Sequence, residues 1–280
     1  MSFRARLTAA ARTNNSWLCV GLDPDPTLMP PVSVLEFNKA IIDATRDLVC
    51  AYKPNVAFYQ AFGPAGLEML YETVRYIGGA VPVIADAKCA DVGHTAAAYA
   101  RGFLQTFGFD AVTVNPYLGY DGVKPFLEFD GKGVFLLCRT SNPGAADVQG
   151  LRCIEATPGE QAAAADGEPL FEVIARKAAS WDSGGRLGLV VGATSVGELQ
   201  RVRELCPDML FLIPGVGPQG GDLEESIRVG VDSFGESAII NASRQVTYAS
   251  RREDFPAAAR AVALHLRDRI NALRKGISRS

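Results

Sequence analysis

The chain has 280 residues, of which 48% are hydrophobic and 21% are charged, a composition typical of a soluble globular protein rather than a disordered or fibrous one. Its formal net charge is −3 and its 28 Lys and Arg residues are scattered along the chain, which disfavours a nucleic-acid partner. No apolar run approaches the ~18 residues of a membrane span, and no apolar signal segment follows the basic N-terminus. We therefore expect a cytoplasmic protein without a membrane anchor.

The cysteine and histidine residues give little sign of a disulfide frame or a metal centre. Six cysteines are spread along the chain without a CxxC pair, which favours reduced thiols. The two histidines, His94 and His265, are far apart in sequence, so a His-based zinc site is disfavoured. A carboxylate-bound Mg²⁺ stays open at this point.

Short apolar segments alternate with helical patterns along the whole chain. The predicted strands are Leu18–Leu22, Ala51–Tyr59, Val81–Ala85, Ala111–Val114, Gly133–Cys138, Leu187–Gly192, Met209–Ile213 and Ser237–Ile240. The predicted helices between and after them are Leu35–Cys50, Leu67–Ile77, Thr95–Phe107, Phe171–Trp181, Val196–Leu205 and Phe255–Arg274.

Eight strands separated by helices indicate parallel crossovers, and eight is the number that closes a TIM barrel. The alternative is an open doubly wound sheet, but no G-x-G-x-x-G follows the first strand. We therefore expect an α/β protein in which residues 1–280 form a single (β/α)8 TIM-barrel domain.

Polar residues stand at the ends of the predicted strands, where a TIM barrel places its active site. The connection after strand five, at about residues 141–169, is longer than the usual ~2–6-residue loop between a strand and a helix. We expect an insertion at the rim of the active site that acts as a lid. The alternative is a family-specific decoration.

The segment D-x-K-x-x-D after the third strand concentrates charge at one such end. Residues two apart in a strand point to the same side, so Asp86 and Lys88 are expected to face the barrel interior, with Asp91 at the start of the next helix. A structural ion pair or a helix cap is the alternative. Lys53 and Asp23 occupy two further strand ends, and so many charges at one rim favour a functional site.

The loops after strands seven and eight have the character of a phosphate site. Glycines let backbone N–H groups approach an anion, and Arg244 adds a planar, permanently charged fork. The glycines, which by themselves are equally consistent with a tight turn, are Gly215, Gly217, Gly220 and Gly221. Barrels commonly bind phosphate at these two loops, and the neighbouring Ser243-Arg244 favours phosphate here.

These segments resemble the orotidine 5′-phosphate decarboxylase family. The blocks that carry the resemblance, in order, are Val20-Gly21-Leu22-Asp23-Pro24, Lys53-Pro54-Asn55, residues 84–95 (IADAKCADVGHT), Thr140-Ser141-Asn142-Pro143-Gly144, residues 214–222 (PGVGPQGGD) and Ser243-Arg244. They run from about residue 17 to residue 245, and the long insertion resembles the larger bacterial subfamily. Cys89-Ala90 departs from the Arg-Gly common there. Another branch carries Ala at the second position, so we expect no effect on activity.

The resemblance implies decarboxylation of orotidine 5′-monophosphate to UMP without a cofactor or a metal. It implies that Lys88 stabilises the carbanion at C6 of the substrate and protonates it. Asp86 and Asp91 would hold Lys88 and crowd the substrate carboxylate, and Lys53 would complete the charge chain. Asp91 and Thr95 would reach the neighbouring subunit's site in an obligate homodimer.

The same resemblance assigns the rest of the substrate. Asp23 would accept a hydrogen bond from a ribose hydroxyl, and Ser141 would meet the pyrimidine. Gln219 would link the base to the phosphate, which Ser243 and Arg244 would bind.

Two other functions remain as alternatives. Sugar-phosphate decarboxylases and hexulose-phosphate synthases also carry D-x-K-x-x-D, but they need Mg²⁺ held partly by a Glu at the end of strand two. In that region this sequence has the cation Lys53. A catalytically silent phosphate-binding barrel would bind UMP without turnover.

Overall fold

The computed structural model describes residues 1–154, 167–182, 184–217 and 221–277. Its main sheet contains eight parallel strands, β1 to β8: Leu18–Leu22, Ala51–Pro54, Ile84–Cys89, Ala111–Val114, Gly133–Arg139, Leu187–Val191, Leu210–Ile213 and Ala238–Ala242. Neighbouring strands follow the order β2-β1-β8-β7-β6-β5-β4-β3. The parallel bridges Tyr52–Val83 and Asn55–Asp86 join β2 to β3, so the sheet closes into a (β/α)8 TIM barrel.

Helices surround this barrel and alternate with its strands. In chain order, α1 to α12 are Phe3–Thr13, Val34–Thr45, Val56–Gln60, Pro64–Ile77, Gly93–Arg101, Tyr120–Leu127, Ala146–Gln149, Leu170–Trp181, Val196–Leu205, Leu223–Gly230, Arg244–Thr247 and Phe255–Ile277. A π-helical turn, Gly102–Thr106, continues α5. Among the described helices, none combines the length and the apolar character needed to cross a membrane.

Helix α1 covers the amino-terminal end of the barrel. Phe3 meets Phe135 of β5 edge to face, with ring centroids 5.8 Å apart. Gly133 makes room for this contact, since a Cβ atom there would lie 2.4 Å from the Phe3 ring. Arg6 adds an ion pair of 2.7 Å to Asp110 at the start of β4. This end is therefore filled, and the carboxyl ends of the strands are left for a site.

The predicted elements agree with the observed ones where a continuous apolar run ends at a polar residue. Strands β1 and β4 and helix α9 have the predicted bounds. Strand β2 was predicted to extend to Tyr59, but it ends at Pro54 because Asn55 caps α3, its Oδ1 accepting from the Ala57 N–H at 3.2 Å. Strand β3 begins three residues later than predicted and continues through Lys88. Helices α1, α6 and α10 were not predicted.

The long connection between β5 and α8 carries short elements of its own. After the 3-10 turn Pro143–Ala145 come α7 and the two-residue strand Arg152–Cys153, which pairs antiparallel with Glu168–Pro169. Gln149 of α7 ties this connection to the end of β5, because its Oε1 accepts from the Thr140 N–H at 2.8 Å. Residues 155–166 of the predicted insertion lie outside the described residues.

Candidate active site

A buried carboxylate with two ammonium partners lies at the carboxyl ends of β2 and β3. Asp86 is 8% exposed; its Oδ2 accepts from Lys53 Nζ at 2.6 Å and its Oδ1 from Lys88 Nζ at 2.5 Å. Thr113, at the end of β4, donates from its hydroxyl to the same Oδ1 at 3.2 Å. The predicted convergence of Lys53, Asp86 and Lys88 is therefore present in the structure.

The two lysines of this cluster have different surroundings. The Lys53 side chain is 5% exposed and lies inside the barrel, whereas the Lys88 side chain is 48% exposed. A cavity of about 520 Å³ adjoins Lys88, lined among others by Asn55 and Asp86, and Lys53 is not part of its lining. Lys53 is thus a buried partner of Asp86, and Lys88 is the cation that an incoming molecule can reach.

The backbone at Lys88 departs from that of a regular strand, in which Asp86 and Lys88 would point to the same side. Lys88 has φ +47°, in the left-handed region that costs an L-residue energy. The pairing of β3 with β4 shifts register between Ala85 and Cys89. The Thr113 hydroxyl compensates by accepting from the Lys88 N–H at 2.9 Å. Backbone strain of this kind clusters at functional sites, so it favours a functional role for Lys88.

The pKa values in the cluster follow from burial and from these neighbours. Burial alone would raise the pKa of the Asp86 carboxyl, but the charges of Lys53 and Lys88 hold its pKa well below its ordinary value. Burial alone would likewise lower the pKa of Lys53, and Asp86 and Asp23 together raise it above its ordinary value. Asp86 therefore stays ionised and Lys53 stays protonated at neutral pH.

Asp23, at the end of β1, is a second carboxylate on the same rim. Burial raises its pKa, opposed by the charge of Lys53 and by a hydrogen bond from Ser243. Its buried Oδ1 finds no hydrogen-bond partner among the described residues. A buried acceptor without a donor is costly in a finished structure, so this atom is suited to a donor on a ligand.

The predicted phosphate site forms a small cavity of about 60 Å³ across the rim, lined among others by Gly215, Asn241, Ser243 and Arg244. Gly215 and Gly217 have φ +97° and +82°, conformations that favour glycine. Within the described residues, the Arg244 guanidinium makes no hydrogen bond or ion pair. The predicted contact residue Gln219, like Gly220, lies outside the described residues.

Ser141 follows β5, on a segment whose backbone is held in place by neighbouring side chains. Arg139 is buried, forms an ion pair with Glu198 and donates to the Thr140 carbonyl at 3.1 Å. The Thr194 hydroxyl donates to the Ser141 carbonyl at 3.2 Å. The structure thus places Ser141 on the rim with the other predicted substrate residues. The hydrogen bonds from Arg139 and Thr194 hold its backbone there.

Asp91 and Thr95 do not join the cluster within one chain. The Asp91 Oδ1 accepts from the N–H of the next residue, Val92, at 2.8 Å. In the described part of the chain no cation lies within ion-pair distance of Asp91. Thr95 lines a neighbouring apolar cavity of about 390 Å³ that shares Val56 and Tyr99, among others, with the cavity at Lys88. Within the described residues, neither side chain forms a hydrogen bond or an ion pair with Lys88.

Three residues of the site were missed by the sequence reasoning. Thr113 was identifiable as the polar residue of strand β4, where it faces Asp86. Asn241 is 7% exposed, and its Nδ2 donates to Ser243 Oγ at 3.4 Å. Tyr248, whose hydroxyl donates to the Asp23 carbonyl at 2.6 Å, carried no signal in the sequence, because its partner is 225 positions away.

Fold and site together are those of a TIM-barrel enzyme with a buried charge cluster on one side of the rim and a small cavity at Arg244 across it. Residues 16–261 match the model of the family described as orotidine 5′-phosphate decarboxylase / HUMPS. A Roseiflexus sp. (strain RS-1) protein named orotidine 5′-phosphate decarboxylase is 49% identical over 279 residues, which cover 97% of this chain and 98% of that protein. The chain belongs to the orotidine 5′-phosphate decarboxylase / HUMPS family, as the motifs indicated.

Solved structures agree with this assignment. The structure of Leishmania donovani OMP decarboxylase superposes with a TM-score of 0.82 at 37% identity, covering 98% of this chain and 99% of that one. Leishmania donovani UMP synthase superposes with a TM-score of 0.85 at 38% identity. This chain spans 57% of the UMP synthase chain.

Proposed function

We propose that this protein decarboxylates orotidine 5′-monophosphate to UMP and CO₂, the last step of de novo UMP biosynthesis. One observation carries the proposal: the ionised carboxylate of Asp86 is buried between two ammonium groups, one of which, Lys88, opens to a cavity at the barrel rim. The names of the relatives at 49% and 46% identity support the same reaction.

In this reaction the bond between C6 and the carboxylate breaks, and the electron pair stays on C6. That carbanion lies in the plane of the ring and has no π system to receive it. Lys88 stabilises it as a compact positive charge and then transfers a proton from Nζ to C6. Lys88 is afterwards reprotonated from solvent, and CO₂ leaves.

A single lysine is insufficient for the whole rate enhancement. Two unit charges ~4 Å apart contribute about 4 kcal/mol at an effective dielectric near 20. Very slow reactions require upwards of ~20 kcal/mol of barrier lowering. The remainder comes from binding energy of substrate parts that do not react, above all the phosphate, which excludes water and fixes the pyrimidine beside Lys88.

The remaining substrate contacts follow from the positions on the rim. Arg244 and the glycine loop bind the phosphate, with Ser243 beside them, and Asp23 accepts a hydrogen bond from a ribose hydroxyl. Ser141 contacts the pyrimidine. Gln219 links the base to the phosphate; this assignment rests on the motif alone.

We further propose a homodimer in which Asp91 and Thr95 complete the partner's site. Asp91 lies just before α5 and Thr95 lies in its first turn, yet neither forms a hydrogen bond or ion pair with Lys88 within the described chain. Their neighbourhood exposes apolar side chains, since Val92 is 50% and Tyr99 43% exposed. Such exposed apolar residues are common where two subunits meet.

The decisive experiment on the reaction follows the ultraviolet absorbance of orotidine 5′-monophosphate with enzyme and EDTA. We expect rapid loss of the substrate spectrum and formation of UMP. No change with folded protein would contradict the proposal and favour the silent phosphate-binding barrel. Turnover that EDTA abolishes would favour the metal-dependent relatives. In the described residues, no group of three or more His, Cys, Asp and Glu side chains is placed to hold a metal ion.

The shared site is tested by mixing two inactive variants, Lys88→Ala and Asp91→Ala, after unfolding and refolding together. In a symmetric dimer, hybrids would contain one site with both mutations and one intact site, so about a quarter of wild-type activity returns. Refolding each variant alone is the control. No recovery, with hybrids verified by mass spectrometry, would place Asp91 in its own subunit's site.

Three expectations from the sequence remain predictions: one TIM-barrel domain over residues 1–280, an active-site insertion at about 141–169, and a cytoplasmic location.

A further inference from the structure

Tyr248 joins two parts of the rim that the proposed function assigns to different ends of the substrate. It immediately follows α11, the turn that begins with Arg244, and its backbone N–H donates to the Arg244 carbonyl at 3.0 Å. Its side-chain hydroxyl crosses to the segment after β1. There it donates to the Asp23 carbonyl at 2.6 Å and accepts from the Asp25 N–H at 2.7 Å.

The tyrosine ring is held independently of these hydrogen bonds. It stacks on Phe37 of α2, with centroids 5.7 Å apart and planes 15° from parallel, and Phe37 in turn stacks on Phe255 of α12. Burial raises the pKa of the Tyr248 hydroxyl to about 12, so the hydroxyl keeps its proton at neutral pH. A fixed, protonated hydroxyl can hold both backbone groups at once.

Ser243 is a second residue of the phosphate side that lies against Asp23. The Ser243 hydroxyl lies close enough to the Asp23 carboxylate to lower its pKa, and Asn241 donates to Ser243 Oγ at 3.4 Å. Gly21 makes this approach possible, because a Cβ atom there would lie 1.9 Å from Ser243 Oγ. Asp23 is thus held through its backbone by Tyr248, and its carboxylate lies near Ser243, both on the phosphate side.

We propose that Tyr248 is a positioning residue: its hydroxyl couples occupation of the phosphate site at Ser243 and Arg244 to the placement of Asp23 against the ribose. This inference rests on the proposed function. A phosphate bound to Arg244 restrains the residues 244–248, and Tyr248 passes that restraint to the backbone on both sides of Asp23. The unpartnered Oδ1 of Asp23 is then aimed at its ribose hydroxyl only when the phosphate is present.

The test measures the benefit of a ribose hydroxyl with and without a phosphate. Dissociation constants are determined by NMR titration for UMP, uridine and their 2′-deoxy and 3′-deoxy forms. In the wild type, removal of the hydroxyl that Asp23 binds should weaken affinity at least about fivefold more for the nucleotide than for the nucleoside. About fivefold is the lower end of typical coupling between two binding sites. In Tyr248→Phe, which keeps the ring stack, the two improvements become equal within about twofold.

Tyr59→Phe is the matched control. The Tyr59 hydroxyl also donates to a backbone carbonyl at the end of β1, that of Leu22 at 3.2 Å, but among the described residues it forms no hydrogen bond with α11. We expect Tyr59→Phe to lower thermal stability and to keep the wild-type coupling. A coupling that persists in Tyr248→Phe, or that is already absent in the wild type, would overturn the inference, as would its equal loss in Tyr59→Phe.

Turnover separates this inference from the proposed function. Wild-type protein that fails to convert orotidine 5′-monophosphate contradicts the function, whereas the ligand titrations still report whether Tyr248 couples the two ends. With an active wild type, we expect Tyr248→Phe to lower kcat/KM about tenfold, since a positioning error far from the chemistry is felt at the reacting atom. An unchanged kcat/KM would contradict the positioning role.

Discussion

Replacing Lys88 by alanine and by glycine separates its chemical role from its backbone strain. Both variants lack the ammonium group. At an ordinary strand position glycine is less stable than alanine by roughly 0.5–1 kcal/mol. Lys88 has φ +47°, and the left-handed conformation costs an L-residue roughly 1–2 kcal/mol. We therefore expect the opposite order, with Lys88→Gly more stable than Lys88→Ala by about 1 kcal/mol.

The loss of activity is expected to be nearly equal in the two variants. An ammonium about 4 Å from the carbanion contributes about 4 kcal/mol, or about a thousandfold in rate. Proton delivery by a positioned acid adds roughly 10²–10⁴-fold. Together these imply a decrease in kcat of at least about 10⁵-fold, while UMP affinity stays within about tenfold because Lys88 acts at the reacting carbon.

Urea denaturation gives the stabilities, absorbance loss of orotidine 5′-monophosphate gives the rates, and titration gives UMP affinity. The left-handed conformation at Lys88 would be refuted if Lys88→Gly unfolded at a lower urea concentration than Lys88→Ala with the same m-value. The catalytic assignment would fail if either variant kept more than about one hundredth of wild-type kcat, since one acid alone supplies that much.

Three further predictions concern the surroundings of this lysine. Lys53→Met leaves Asp86 with one ammonium partner, and we expect a loss of roughly 3–5 kcal/mol in unfolding free energy, as for a broken buried ion pair; a loss below about 1 kcal/mol would show the pair to be unimportant. Gly21→Ala is expected to displace Ser243 and weaken UMP binding more than uridine binding, because its Cβ would lie 1.9 Å from Ser243 Oγ; equal weakening of both ligands, measured by titration, would contradict this. Because the folded-state pKa of Asp86 is depressed, its contribution to stability is complete above the unfolded pKa of about 3.9 and is lost as pH falls toward the folded value. The unfolding free energy of Asp86→Asn, measured as the pH is lowered, should lack that loss. The same pH dependence of unfolding free energy in variant and wild type would contradict this prediction.

The parts of the fold that the sequence predicted are those where one local pattern decides the structure. The apolar run Leu18–Leu22, which ends at the polar Asp23, predicts a strand buried on both faces, as observed. At Asn55 two local signals compete. The apolar residues up to Tyr59 suggest a longer strand, but the side-chain cap of Asn55 starts a helix. Short helices such as α10 escape detection because few residues carry their pattern.

The candidate site likewise contains residues that local sequence patterns predict and contacts that they do not. The charged members of the cluster were predictable, because polar residues at barrel strand ends are few and the fold brings those ends together. The left-handed backbone of Lys88 was not, since regular alternation predicts nothing about a bulge. Contacts such as Tyr248 to Asp23 depend on the closure of the barrel from β8 to β1. No local pattern encodes a hydrogen bond over that separation.

The arrangement of Asp86 between two lysines bears on which interactions change during the reaction. On the proposed mechanism, Lys88 attracts the substrate carboxylate before decarboxylation and the C6 carbanion afterwards, and an attraction equal in both states would accelerate nothing. Asp86 supplies the difference, since its negative charge repels the nearby substrate carboxylate more than the carbanion that remains when CO₂ departs. That repulsion requires an ionised, immobile carboxylate. Lys53, 2.6 Å from Asp86 and almost fully buried, provides both conditions while lying on the side away from the cavity-facing Lys88. On the proposed mechanism, Lys53 therefore acts on the rate without touching the substrate, by keeping the opposing charge of Asp86 in place.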